Sequence, residues 1–477
     1  MIFWLCSFIG ISLTGYLVLS SSLFARRESA RPWVLAGLLS VQSFLWLWLP
    51  HLTAWTFPGW AGLQLTWTLP AWTAGLAVSL ALSGAAWHSL AHPRPDPTGA
   101  LQLLAFPLLG LALLSASPRS LLVGWAALDL LWLASTIRAA CAPAQLSAGL
   151  LTRGFSLLLL WGSTLPGLAA DAVLPGLAVL LRLAPYPFTF EHRSTPPLWL
   201  SFIQPILATQ LLAQIAAPLP GWMALWLGLA ALITAVRALL GQEEERRSRT
   251  GEALLLAALS AGFAQPGTPL PLLAVGAWTA GRTLYELAYG WENSAWPWLL
   301  PGLWGLAVML GLPPAPIGFA LWSAFAHSAW PVLALLFLTL PLALTAGARE
   351  LKRPLGASPL AASRPQRAAQ AVGLLLLVLG TIVGSAAGLP ALEALGLGVW
   401  ASALLAGGAL TFWGTRLQPA PRWEWLTNPA PMGDLLARAA GRSLLLIYTL
   451  AGIIEGDGAL IWSLVFLFLI LLAGRIG

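Results

Sequence analysis

Residues 182–197 read R-L-A-P-Y-P-F-T-F-E-H-R-S-T-P-P, and they put an ionisable group where such groups are costly. An apolar run from about Leu168 precedes this stretch, and another begins at Leu198. Arg182 therefore sits about one helical turn inside a membrane segment. Pro185 and Pro187 each remove a backbone donor, so a helix arriving here must end or unwind. A short charged turn and a second proline pair follow. A charge beside unwound backbone in lipid marks either a functional site or an intramembrane ion pair holding helices together. The residues alone leave both open.

Other chemistry is sparse. His88 and His327 lie in or near apolar runs, as satisfied polar side chains or as ligands of a chlorophyll or haem. Cys6 and Cys141 cannot form a disulfide framework, and no Cys/His cluster has metal spacing. There is no dinucleotide fingerprint, no haem pair and no iron–sulfur cysteine set. No catalytic, cofactor-binding or metal-ligating residue is therefore expected in this chain, and its expected non-protein neighbours are lipids.

The elements that must position Arg182 are membrane helices. Of 477 residues, 58% are hydrophobic and 9% charged, against about 25% charged in soluble domains; mean hydropathy is +0.80. Apolar runs recur at 2–24, 33–50, 65–91, 100–116, 119–137, 147–165, 167–187, 197–217, 221–240, 252–266, 269–289, 296–326, 330–347, 369–388 and 391–413. The stretch 441–475 is less regular. The reading is an all-α, polytopic transmembrane bundle of about 14–17 helices. It divides into N-terminal helices (1–99), a core (100–347), and C-terminal helices with cytoplasmic loops (348–477). Breaks are expected near Pro185–Pro187 and near Pro313, Pro314 and Pro316. Interrupted helices at corresponding places in two halves are the usual trace of an inverted repeat.

The net charge of +7 does not point to nucleic acid, because the arginines cluster in short loops. Loops counted as odd from the N-terminus hold Arg26, Arg27, Arg31, Arg94, Arg138 and Arg193, and later odd loops continue to Arg438. The even loops hold only Arg119. That asymmetry places the N-terminus on the non-cytoplasmic side, with a bacterial inner membrane as the expected location. The apolar N-terminus lacks a basic leader and reads as a retained first helix. The 27 tryptophans, many near span ends (Trp33, Trp222, Trp330), read as an interface belt, with pigment or quinone stacking as the alternative. Residues 243–252, E-E-E-R-R-S-R-T-G-E, read as a solvated cytoplasmic turn, or alternatively as a docking site for a hydrophilic subunit.

Four stretches together resemble a known family. R-L-A-P-Y-P-F followed by S-T-P-P resembles the K-x-x-x-x-P-F-H…A-P-T-P signature of the antiporter-like membrane subunits of respiratory complex I. Membrane-bound hydrogenases and multisubunit cation/proton antiporters share that family. L-L-V-G-W-A-A-L-D-L-L-W-L looks like its fifth helix, where Asp129 falls at the position of a family glutamate. A-V-R-A-L-L-G-Q-E-E-E-R-R with L-L-L-A-A-L-S-A-G-F is similar to A-L-x-Q-x-D-x-K-R-x-x-A-Y-S-S. G-L-P-P-A-P-I-G-F at 311–319 resembles the broken twelfth helix. The resemblance covers roughly residues 100–345, in matching order.

It implies that Asp129 and Arg182 stand where the family has a Glu–Lys pair, and that the two lie within salt-bridge distance on neighbouring helices. The departures bear on function. Thr189 replaces the histidine after P-F. Gln204 and Pro205 occupy the neighbourhood of the eighth-helix lysine, and Leu321 and Trp322 that of the twelfth. The single lysine of the chain, Lys352, lies in a loop. Buried lysine can be tuned to take and give a proton, whereas arginine stays charged. Among carboxylates, only Asp129 could titrate on this path, with distant help from Glu286, Glu292 or Asp171.

The resemblance therefore implies an antiporter-like subunit of a proton-translocating, complex I-like redox complex, working with other membrane subunits, with a degenerate proton path and a structural or coupling role. An active proton-conducting subunit and a stand-alone cation/proton transporter are the alternatives. NADH dehydrogenase or hydrogenase chemistry, if present, would belong to partners.

Overall fold

The structure is a computed structural model. It describes residues 2–21, 30–49, 64–90, 99–138, 143–165, 172–183, 198–215, 219–241, 243–263, 270–288, 299–309, 328–351 and 363–386, with short pieces at 401, 405–409 and 442. Among them are fourteen α-helices and no strand beyond one isolated bridge, Leu65 to Ser115. In chain order they are α1 (Ile2–Ser20), α2 (Arg31–Leu47), α3 (Leu69–Ser89), α4 (Gln102–Leu113), α5 (Pro118–Arg138), α6 (Pro143–Gly162) and α7 (Val173–Leu183). Then come α8 (Leu198–Gln214), α9 (Gly221–Leu240), α10 (Glu243–Phe263), α11 (Leu270–Ala288), α12 (Leu299–Met309), α13 (Trp330–Leu351) and α14 (Arg364–Ala386).

Of the described helices, α3, α5, α9, α13 and α14 are each long and apolar enough to cross a membrane. The molecule is an all-α membrane bundle. In lipid no water competes for backbone groups, so apolar runs of this length become helices whatever their β-branched content.

The described parts of α7 and α12 are 11 residues each. Each stands just before one of the proline-rich stretches. The expected break positions Pro185, Pro187, Pro313, Pro314 and Pro316 lie outside the described residues, as do Thr189, Leu321, Trp322, His327, Asp171 and Glu292.

Helix contacts are made by small residues, which let backbones approach in the absence of a hydrophobic drive between helices. A Cβ on Gly373 of α14 would lie 2.6 Å from Gly84 O on α3 and 2.8 Å from His88 N. One on Gly305 of α12 would lie 2.6 Å from Gly281 O on α11. At the end of α4, Gln210 Nε2 of α8 donates to Leu113 O (2.9 Å) and Ser115 O (3.2 Å), and Gln214 Nε2 to Ser115 O (2.7 Å). These amides satisfy carbonyls that a helix end leaves without partners. Thr68 caps α3 by accepting from Ala71 N, with Pro70 in the first turn, where a missing donor costs nothing.

One expectation is corrected. Residues 243–252 are not a solvated turn but the first half of α10, continuous with its apolar part. Thr250 and Gly251 are buried. Arg246 donates to Ala238 O (3.3 Å) and Gly241 O (2.9 Å), at the carbonyl end of α9. Arg246 thus helps close the preceding helix, where cations are favoured.

An intramembrane carboxylate held by two arginines

The candidate site is built from three helices. On α5, Trp125, Asp129 and Trp132 follow at i, i+4 and i+7, which puts them on one face. Arg182 belongs to the last turn of α7, where the helix dipole favours a cation. Its Nη1 donates to Asp129 Oδ1 at 2.5 Å and its Nη2 to Oδ2 at 2.9 Å. That two-pronged contact matches the guanidinium fork to the carboxylate plane. Arg182 is fully shielded from solvent, and its guanidinium carbon lies 4.3 Å from the centroid of the Trp125 ring.

The third member is Arg153 on α6, whose Nη1 donates to the same Asp129 Oδ1 at 2.8 Å. Its guanidinium carbon is 4.0 Å from the Trp132 ring centroid. Each tryptophan of the α5 face thus carries one guanidinium, and the carboxylate lies between them. The indole faces supply a cation–π term of about 0.5–2 kcal/mol each. An isolated arginine or aspartate at this depth costs about 2.5–3.5 kcal/mol on insertion scales. The shared contacts offset part of that cost and fix how α5, α6 and α7 pack.

The structure thus brings Asp129 and Arg182 together and adds Arg153, which sequence reasoning passed over. The signal existed: Arg153 is the one charged residue in the apolar run 147–165. The two tryptophans at this site each present a ring face to an arginine.

Other candidate positions fall elsewhere. Gln204 and Pro205 lie in the middle of α8; the Thr209 hydroxyl donates to Pro205 O at 2.9 Å. Glu286 accepts from Arg282 Nε at 2.7 Å within α11. Arg282 also donates from Nη2 to Ser248 Oγ at 3.0 Å, tying α11 to α10. His88 is buried between α3 and α14, its Nε2 3.5 Å from Gln370 Nε2. Among the described residues no three His, Cys, Asp or Glu side chains gather as a metal site.

No protein-family profile matches this sequence, and no curated protein matches it. Solved structures do match. Over 98% of this chain, the structure is similar to a chain of the Mrp complex from Dietzia sp. DQ12-45-1b, with TM-score 0.66 and 16% identity. This chain spans 63% of the length of that one. A chain of respiratory complex I from Thermus thermophilus with bound NADH matches with TM-score 0.61 and 16% identity, over 85% of this chain and 100% of that one. A chain of the membrane-bound sulfane sulfur reductase, an archaeal respiratory membrane complex, matches with TM-score 0.58 and 16% identity, over 85% and 97%. The protein therefore has the fold that membrane chains of these complexes share, the fold implied by its resemblance to antiporter-like subunits.

Proposed function

We propose that this chain is a non-catalytic, antiporter-like subunit of a multisubunit, proton-translocating, complex I-like membrane complex, with a degenerate proton path and a structural or coupling role. The observation that carries this reading is the arrangement at Asp129, a carboxylate shared by two guanidiniums. A relay needs a neighbour that both takes and gives a proton near neutrality, and arginine stays charged. Gln204 and Pro205, where the family has a lysine, supply no titrating group, and neither do Leu321 and Trp322 by sequence. What the cluster does supply is a rigid joint between three helices, suited to passing a displacement from one neighbouring subunit to another. The location that fits the loop charges is a bacterial inner membrane, with the N-terminus on the non-cytoplasmic side.

The test is Asp129→Asn in the parent complex, reconstituted in liposomes. The expected result is a lower yield of assembled complex with an unchanged ratio of protons moved per electron. Complete loss of pumping, with electron transfer and assembly intact, would overturn the proposal.

A further inference from the structure

The Asp129 cluster is not neutral. One carboxylate and two guanidiniums leave an excess of one positive charge, and among the described residues no second carboxylate pairs with either arginine. The excess lies toward the outside of the bundle: the Arg153 side chain is 15% exposed, whereas that of Arg182 is 0%. Around it the surface is apolar. Leu130, beside Asp129, is 67% exposed, and Val123 and Ile137 continue the same line along α5 at heptad spacing. On α6, Leu150 stands about one turn before Arg153 on the same side of the helix and is 38% exposed.

Depth decides what can neutralise this charge. At 1.5 Å per residue, Asp129 is about 16 Å from the Pro118 end of α5 and about 14 Å from the Arg138 end. For a helix that crosses the bilayer this is close to the midpoint, with the hydrocarbon edge about 15 Å away on either side and the lipid phosphates beyond it. Arg153 cannot reach toward them, because its guanidinium is held 2.8 Å from Asp129 and 4.0 Å from the Trp132 ring. A second copy of this chain, docked face to face, would present the same positive cluster and repel.

We infer that the α5–α6 face is a docking surface for a transmembrane helix of a different subunit, and that this helix presents an aspartate or glutamate to Arg153 at mid-membrane depth. The inference rests on the reading of the chain as one subunit of a membrane complex. Its contact is a mid-membrane charge pair surrounded by an apolar seam, so it sets partner identity and register together.

The test is site-specific photo-crosslinking from Leu130 and from Leu150 in the otherwise wild-type chain, in native membranes. Both probes are expected to capture one membrane chain, through a helix that carries an acidic residue. Arg153→Glu should lower the yield of both adducts by about tenfold or more, and exchanging the partner's acid for arginine should restore them. Adducts with lipid alone, with a second copy, or with a helix lacking an acid, while other membrane chains still copurify, would overturn the inference and leave the proposed function standing. Absence of any copurifying membrane chain would overturn both. The crosslinks from the wild-type background decide the matter even if Arg153→Glu fails to insert.

Discussion

The indole of Trp132 on α5 fills the space that a side chain at Gly149 on α6 would need: a Cβ there would lie 2.5 Å from the ring. Gly149 is one turn before Arg153, so the same turn of α6 admits the ring and lays a guanidinium on it. Gly149→Leu should displace Trp132 and lower stability by about 1–3 kcal/mol, the usual cost of overpacking. Gly154→Ala on the same helix, where a Cβ would meet nothing within 4 Å, should be neutral. Thermal unfolding of the purified chain in mild detergent measures both.

Removing the carboxylate should cost more. Asp129→Asn leaves Arg153 and Arg182 without a counter-charge, a loss of about 3–5 kcal/mol for a broken buried pair. Asp129→Glu keeps the charge on a side chain one methylene longer and should retain more than half of that stability. Equal melting temperatures for Asn and Glu would refute the ion-pair account.

The two arginines should respond differently to lysine. Arg182→Lys keeps the charge but loses the second hydrogen bond to Asp129 and the flat contact with Trp125, a loss of about 1.5–3 kcal/mol. Arg153 makes a single hydrogen bond to Asp129, so Arg153→Lys should cost roughly half as much. A comparison of unfolding midpoints in one detergent checks the ranking.

Close backbone approach gives a prediction away from the site. Gly305→Leu, at the 2.6 Å approach to Gly281 O, should force α11 and α12 apart. Gly10→Ala, with nothing within 4 Å, should leave stability unchanged. Resistance to limited proteolysis in detergent separates the two.

Much of the bundle is legible in the sequence because lipid leaves the chain few options. An apolar run such as 221–240 has one satisfactory backbone conformation in hydrocarbon, and α9 occupies that range. The start of α10 is not legible, because charge at 243–252 suggests water, while Arg246 instead bonds the carbonyls that close α9. At the site, Arg182 stands out because prolines follow it. Arg153 carries the same lone-charge signal without a break beside it, and its pairing depends on a crossing of α5 and α6 that spacing along one helix cannot reveal. The role of Trp125 and Trp132 is hidden for a similar reason: i and i+7 fix a shared face, but not which cation arrives on it. Glycine contacts such as Gly149 with Trp132 join helices in three dimensions and leave no local pattern.

The glycine approach between α3 and α14 also sets a timetable. His88 and Gln370, which meet across it, are 282 residues apart in the chain. At roughly 5–20 residues per second of synthesis, α14 emerges about 15–60 s after α3. During that interval the groove at Gly84 and His88 faces lipid or a temporary occupant. Any chain that stops before residue 364 keeps that groove open, so premature truncation exposes an early helix rather than only removing a late one.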